Sequence, residues 1–491
     1  MAITINITPD DYEPVYTNSM PFEISSTFQS SVNYKYLFNL YIGASITPVI
    51  ISTYPRPTGY GIYSPHYALQ ANCNTGVGPD ASTIKDNSGS KVEYYLKFGE
   101  QYNPGLTFAD TDLATAYLGL TFSTNIASQF FVGDLITIQK DNIGINPWID
   151  GTASVTALTS NYSIMTDKLK PVNVVYSSFE SGSVINITRY SATSSIYYGW
   201  NAARQYGDLS DFATTYIMDI ATEQSFLSVY ETAYTDDLTE SKPIYIGDYE
   251  TLDIFVGTAS FLSFPVVYCT YVYYDSTNAV LGNDFINYGG NDNGILRYVV
   301  PTGTQNIVDI GASGSVFISN GSLDHYEVII GLGDGSNPLP DDDISRRFNY
   351  QIIPDCRPYD VVRLTFLNKL GGYDYWNFNL VSKYKSNIKR TQIDRALNPL
   401  VNGGDGERGR DVIYSTAVEN WTINTDFLTD TDALFIRELV ESSSVFIVET
   451  DGSILPVVIS DSSWDFKSGL LNGYVQYTIE FQKSNDVIIN R

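Results

Sequence analysis

In VNYKYLFNLYIG (32–43) and VEYYLKFGEQY (92–102), apolar side chains recur at every second position. A helix would scatter that pattern around its circumference, whereas a strand gathers it on one face. Between the two segments, ISTYPRPTGYGIYSP breaks the alternation with Pro and Gly. Short strands at this spacing predict an antiparallel sandwich. The 39 Tyr and 24 Phe point the same way, because aromatic and β-branched residues fit a pleated surface.

A chain of 491 residues is too long for one core, since domains usually hold about 100–200 residues. Residues 1–205 read as an N-terminal β-sandwich. A small β-barrel or hairpin module is inserted at about 107–170, where FFVGDLITIQ (130–139) and TASVTALTS (152–160) are strands. KPVNVVYSSF (170–179) and SVINITRYSA (183–192) then rejoin the sandwich. Residues 206–396 read as a second β-sandwich region, closing with the hairpin RLTFLNKLGGYDYWNFNLV (363–381) and with KYKSNIKRTQI. LNPLVNGGDGERG (397–409) is Pro/Gly/Asn-rich and reads as a linker. Residues 410–491 read as an α+β module. In it LTDTDALFIRELVES (428–442) is a helix capped by Thr429 with Asp432, with Leu434, Leu439 and Val440 on one side. The expected fold is predominantly all-β: a multi-domain chain of antiparallel, fibronectin/Ig-like β-sandwiches, a small inserted β-module and a C-terminal α+β module. No repeat of 20–50 residues is visible, which argues against a solenoid or propeller.

The formal charge is −27. It disfavours nonspecific adhesion to nucleic acid or anionic membranes, yet suits a channel through which DNA passes without sticking. Cys73, Cys269 and Cys356 are too few and too far apart for a disulfide framework or a zinc site. No basic-then-apolar leader and no long apolar run is present, so a soluble protein folded in a reducing cytoplasm is expected, with no membrane partner.

Chemistry is sparse. The two histidines, His66 and His325, give a catalytic triad or a His-based metal centre little to work with, although Asp324 beside His325 could form a dyad. A glycosidase acid pair cannot be located from sequence, and Trp148, Trp200, Trp376, Trp421 and Trp464 offer at most a scattered sugar platform. Asp341, Asp342 and Asp343 are consecutive, without the alternating spacing of a calcium loop. GGDGERGRD (403–411) lacks the strand-before, helix-after context of a phosphate loop. The basic run KYKSNIKR (383–390) alternates, so its lysines decorate one strand face, where an acidic partner surface could meet them. The expectation is no catalytic residues, no metal and no cofactor.

One stretch stands apart. In the 363–381 hairpin Gly371 and Gly372 set a turn, Asn368 and Lys369 precede it, and Tyr373, Tyr375 and Trp376 follow. These residues either pack their own domain or face a neighbour.

Several stretches together resemble a family of virion structural proteins of tailed phages infecting Bacteroidota, crAss-like phages included. They are EPVYTNSMPFEISST, YKYLFNLYI, RPTGYGIYSP and YYLKFGEQY, then FFVGDLITIQ…NPWIDGTASVTAL, then CRPYDVVRLTFLNKLGGYDYWNFNLVSK, and last DFLTDTDALFIRELVESSSVFIVE…LPVVISDSSWDFKS…YVQYTIEF. Their order along one chain carries the resemblance, which covers residues 200–240 and 277–325 only weakly. It implies an N-terminal β-sandwich, an inserted module, a closing α+β module and a role in assembly. The expected protein is a ring, collar or tail-hub subunit of the virion, assembled in the host cytoplasm. It would form a ring-like homo-oligomer and contact neighbouring tail, portal or fibre proteins. A receptor-binding or fibre adhesin is the first alternative and a polysaccharide-degrading tailspike the second. A secreted carbohydrate-binding protein fits less well without a leader.

Overall fold

The computed structural model describes residues 3–17, 20–73, 76, 78–112, 117–126, 128–140, 151–160, 163–169, 182–204, 215–218, 223–230, 241–257, 266–289, 296–311, 313–333, 342–354, 359–394, 410–460, 475–485 and 487–489. Trp148, Trp464, Cys356, Asp341, the 170–179 segment and the 397–409 linker lie outside them. The chain divides into two compact units, Met1–Cys73 with Lys91–Trp200, and Asn74–Ser90 with Asn201–Arg491.

The first unit is the expected sandwich. Strands Val32–Ile42 and Lys91–Asn103 pair antiparallel, and Val49–Thr53 adds to the outer side of the former. A three-stranded sheet of Ile3–Ile7, Phe22–Ser26 and Gly61–Tyr63 supplies the second layer. The alternation read from sequence holds: Val92, Tyr94, Leu96 and Phe98 are buried while Glu93 is exposed. Phe22 bridges the layers, its ring 5.8 Å from Phe98 and 5.3 Å from Tyr197.

The inserted module is a closed barrel. Leu135–Lys140, Gly151–Ser160, Ser163–Leu169, Tyr117–Phe122, Leu106–Asp112 and Gly182–Thr193 pair in that order, and the last strand pairs back with the first. Closure removes free edges. The predicted span of 107–170 is too short, because Gly182–Thr193 completes the barrel while also pairing with Lys91–Asn103 of the sandwich. Arg189 on this shared strand fastens the barrel to the sandwich. It holds Asp134 of the barrel by two bonds (Nε–Oδ1 2.8 Å, Nη2–Oδ2 2.7 Å) and Glu100 of the sandwich by a third at 3.1 Å.

Among the described residues the second unit contains three sheets. One has four strands: Ile217–Met218, Thr251–Val256, Leu296–Pro301 and Lys85–Asp86. The next orders Lys242–Tyr245, Phe348–Ile353, His325–Gly333, Val266–Tyr274 and Val280–Gly289, with Asp342–Asp343 at the side of His325–Gly333. The third orders Tyr373–Phe378, Val362–Leu367, Val445–Val448, Ile454–Ile459, Thr478–Lys483, Arg410–Asn424 and Lys383–Asp394, with Val487–Ile489 on Arg410–Asn424. Because Lys383–Asp394 pairs with Arg410–Asn424 and Val362–Leu367 with Val445–Val448, the 362–394 strands belong with the C-terminal α+β module rather than with the 206–396 region.

Helix Asp430–Glu441 carries the predicted capping box: Thr429 Oγ1 accepts from the Asp432 N–H at 3.1 Å, and Asp432 Oδ2 accepts from the Thr429 N–H at 3.1 Å. Its buried face is Ala433, Phe435, Ile436 and Leu439. Leu434, expected on that face, is 48% exposed. At about 100° per residue it lies about 140° around the axis from Leu439.

Candidate functional site: a committed hairpin and an open ribbon

Strands Val362–Leu367 and Tyr373–Phe378 form the predicted hairpin. Asn368 builds its turn. Its Oδ1 accepts from the N–H groups of Leu370 (2.9 Å) and Gly372 (3.0 Å), and its Nδ2 donates to Leu227 O (2.8 Å) and Asp374 Oδ2 (2.7 Å). Only one of the two glycines has positive φ, Gly371 at +89°. Gly372 is required for a different reason: a Cβ there would sit 1.9 Å from Leu227 O. From sequence both glycines share one role, and the structure separates them.

The aromatic residues are turned into the same unit. Tyr373 and Tyr375 join Tyr249 and Val448 in an apolar cluster. The Tyr373 N–H donates to Asp253 Oδ2 at 2.8 Å, and the Tyr375 hydroxyl meets Thr251 Oγ1 at 2.8 Å. Trp376 is half-buried, its ring 5.4 Å from Phe435 of the helix. Lys369 alone is exposed, 3.3 Å from Glu438. The hairpin thus packs its own unit, and of its seven singled-out residues only Lys369 is exposed enough to meet a partner.

Behind the hairpin lies a set of buried charges that sequence reasoning missed. Arg363 reaches Glu250 (2.6 Å) and Asp248 (3.0 Å), while Lys242 takes the other Glu250 oxygen at 2.7 Å. Tyr350 donates to Glu250 at 2.9 Å, and Asn377 to Asp248 at 2.6 Å. Burial opposes the Arg363 charge, but Asp248 and Glu250 outweigh it and raise its pKa. Asp253 receives Arg297 Nε at 3.0 Å. Asp374 accepts from Ser228 (2.5 Å), the Val229 N–H (3.0 Å) and Asn368. Burial pushes the carboxyls of both Asp253 and Asp374 up, against these partners. Each acid is matched by cations or donors, as buried charges must be. The arrangement holds strands in register and presents no acid–base pair to solvent.

The other candidates are also occupied locally. His66 Nδ1 lies 2.7 Å from Ser64 Oγ, and burial lowers its pKa. His325 Nδ1 lies 3.1 Å from Asp324, and its ring stacks on Tyr274 at 4.8 Å. The dyad exists, at the first position of strand His325–Gly333. Trp200 is buried, and Trp421 stacks on Phe481 at 5.7 Å, so no exposed tryptophan platform forms among the described residues. Among those residues no group of three His, Cys, Asp or Glu is placed to hold a metal ion, and no helix is long and apolar enough to cross a membrane.

What stays open is the ribbon of Lys383–Asp394 on Arg410–Asn424. Among the described residues Lys383–Asp394 is an edge strand, and eleven of its twelve residues are exposed. The register places Lys383, Lys385, Asn387 and Lys389 on one face, as the alternation predicted, opposite Thr422, Asn420, Val418 and Thr416. No ion pair joins these lysines to any described residue. On the other face Tyr384 packs 4.9 Å from Trp421, next to Glu419, which bonds Lys483 at 2.6 Å. Val412 and Tyr414, about half exposed, pair with Gln392 and Thr391 near the far end of the edge strand, and Ile413, equally exposed, is the extra residue at the bulge between them.

No protein-family model matches the chain, and no curated protein matches it. A solved structure of trypsin-activated alpha-2-macroglobulin from Escherichia coli is 8% identical with a TM-score of 0.13, covering 87% of this chain and 41% of that one. The chain spans less than half the length of that protein, and a likeness so slight carries no argument.

Proposed function

We propose that this chain is a structural component of a bacteriophage virion, a tail or neck protein of the ring, collar or tail-hub kind. It works by assembling as a homo-oligomer and joining neighbouring portal, tail or fibre proteins. The observation that supports this most is the open ribbon. An exposed edge strand is a template for pairing with another chain, and monomeric proteins usually shorten, cover or bulge such edges. Here twelve residues stay open with a single bulge, between Thr391 and Gln392. In this reading the role is mechanical rather than catalytic, and buried charges that hold one unit together support it. The ordered motifs that resemble phage virion proteins give the assembly its setting, and the charge of −27 suits subunits that let DNA pass as cargo without gripping it.

Native mass spectrometry and negative-stain imaging of the purified chain test the reading. A cyclic oligomer of more than three copies is expected. A trimer would favour a fibre adhesin, and a monomer at high concentration would overturn the ring. Turnover of a capsular polysaccharide would show a tailspike instead.

A further inference from the structure

Lys383, Lys385, Lys389 and Arg390 are four of only 28 basic residues in the chain, and they fall within eight positions that contain no acid. The strand that carries them is open along one edge, so alternate N–H and C=O groups point away from Arg410–Asn424. At about 3.4 Å per residue its twelve residues offer about 40 Å of edge.

Resting on the assembly reading above, we infer that Lys383–Asp394 is a docking edge for a second copy of this chain. An acidic segment of that copy adds alongside it, its backbone pairing with the free edge and its carboxylates meeting Lys383, Lys385 and Lys389. Charge complementarity selects this occupant. Outside positions 383–390 the chain carries all 55 acidic residues against 24 basic ones, so another copy presents mainly acidic surface. An acidic segment is a different surface from this basic strand, so the contact is heterologous; repeated by a rotation that closes, it makes a ring, where a self-complementary contact would stop at a dimer.

The test is the variant Lys383→Glu/Lys385→Glu/Lys389→Glu, followed by sedimentation velocity at 0.05 and 1 M salt. Reversing three exposed charges should weaken self-association about tenfold or more, and the triple Lys→Arg variant should keep it. In the native chain, salt at 1 M should loosen the oligomer, because screening then acts within about 3 Å. In parallel, carbodiimide coupling in an oligomer mixed from 14N and 15N copies should join these lysines to carboxylates of the other isotope. That measurement uses the native chain and does not depend on the variant's folding. An oligomer unchanged by charge reversal, with no cross-copy coupling at these lysines, overturns the docking edge but leaves the assembly reading standing. A native chain that stays monomeric overturns both. Binding of duplex DNA through these lysines, with the oligomer unaffected, overturns the edge in favour of a nucleic-acid contact.

Discussion

Gly372→Ala separates two meanings a glycine can have. At Gly372 φ lies outside the left-handed region, so the backbone accepts an alanine, but its Cβ would lie 1.9 Å from Leu227 O and 3.0 Å from Leu227 C. The carbonyl has to move by more than about 1 Å to reach ordinary contact at about 3.4 Å, and overpacking of this kind costs about 1–3 kcal/mol. That carbonyl also accepts from Asn368 Nδ2, and Asn368 holds the turn. Losing one such bond adds about 1 kcal/mol. The expected destabilisation is about 2–4 kcal/mol, a large share of a stability of about 5–15 kcal/mol. Gly311→Ala is the control. It ends helix Thr304–Ile310 at φ +72° with nothing within 4 Å of the new Cβ, so it should cost only about 1 kcal/mol. With two compact units in the chain, global unfolding is unsafe as a readout. Hydrogen exchange of peptides covering 362–378 is the appropriate assay, read as opening free energy of the hairpin. If Gly372→Ala opens the hairpin no more than Gly311→Ala opens its own helix end, the close-approach argument is wrong.

Arg363→Met should destabilise the second unit by about 3–5 kcal/mol, because Asp248 and Glu250 lose a buried cation; an unchanged opening free energy in hydrogen exchange of peptides covering 242–250 and 362–367 would refute this. Thr429→Ala removes the helix cap and should cost about 1 kcal/mol, with Thr429→Asn largely restoring it, read by hydrogen exchange of a peptide covering 430–441. Glu419 is held below its ordinary carboxylate range by its bond to Lys483 first and to Tyr384 second. A depressed carboxylate contributes stability above its unfolded value of about 4.3, and loses it as pH falls through the folded pKa. The stability difference between the native chain and Glu419→Gln should therefore be present at neutral pH and disappear in acid; a pH-independent difference would contradict the assignment.

The local elements were legible because their signals are local. The alternation of 92–102, the Thr429–Asp432 box and the lysine face of 383–389 depend on neighbours within a few residues. Barrel closure was not legible, since the pairing of Leu135–Lys140 with Gly182–Thr193 spans about fifty residues and leaves no periodic mark. Nor were the buried acids. Asp253 in TLDIFV and Asp374 in YDYWNF look solvent-facing by alternation, while their partners Arg297 and Ser228 lie far away in sequence. A single acid inside an otherwise apolar or aromatic strand was the available clue. The hairpin left two readings open, packing its own domain or facing a neighbour; Tyr373 and Tyr375 are buried and Trp376 is half-buried in the unit that carries them.

Residues 74–90 interrupt the first unit and belong to the second, so the chain leaves one unit and returns before the first is complete. During synthesis this sets a delay. Lys85–Asp86 pairs with Tyr298–Val299, and Asn306 holds Pro79 O and Ala81 O at 2.7 Å. These partners emerge about two hundred residues later, about 10–40 s at bacterial elongation rates of about 5–20 residues per second. Until then the excursion is a loose loop anchored at both ends by a sandwich that can already fold. A single cut after residue 200 keeps the first unit on one fragment but strips residues 74–90 from the second, and a nascent chain stalled before residue 296 would lack the partners of Lys85–Asp86.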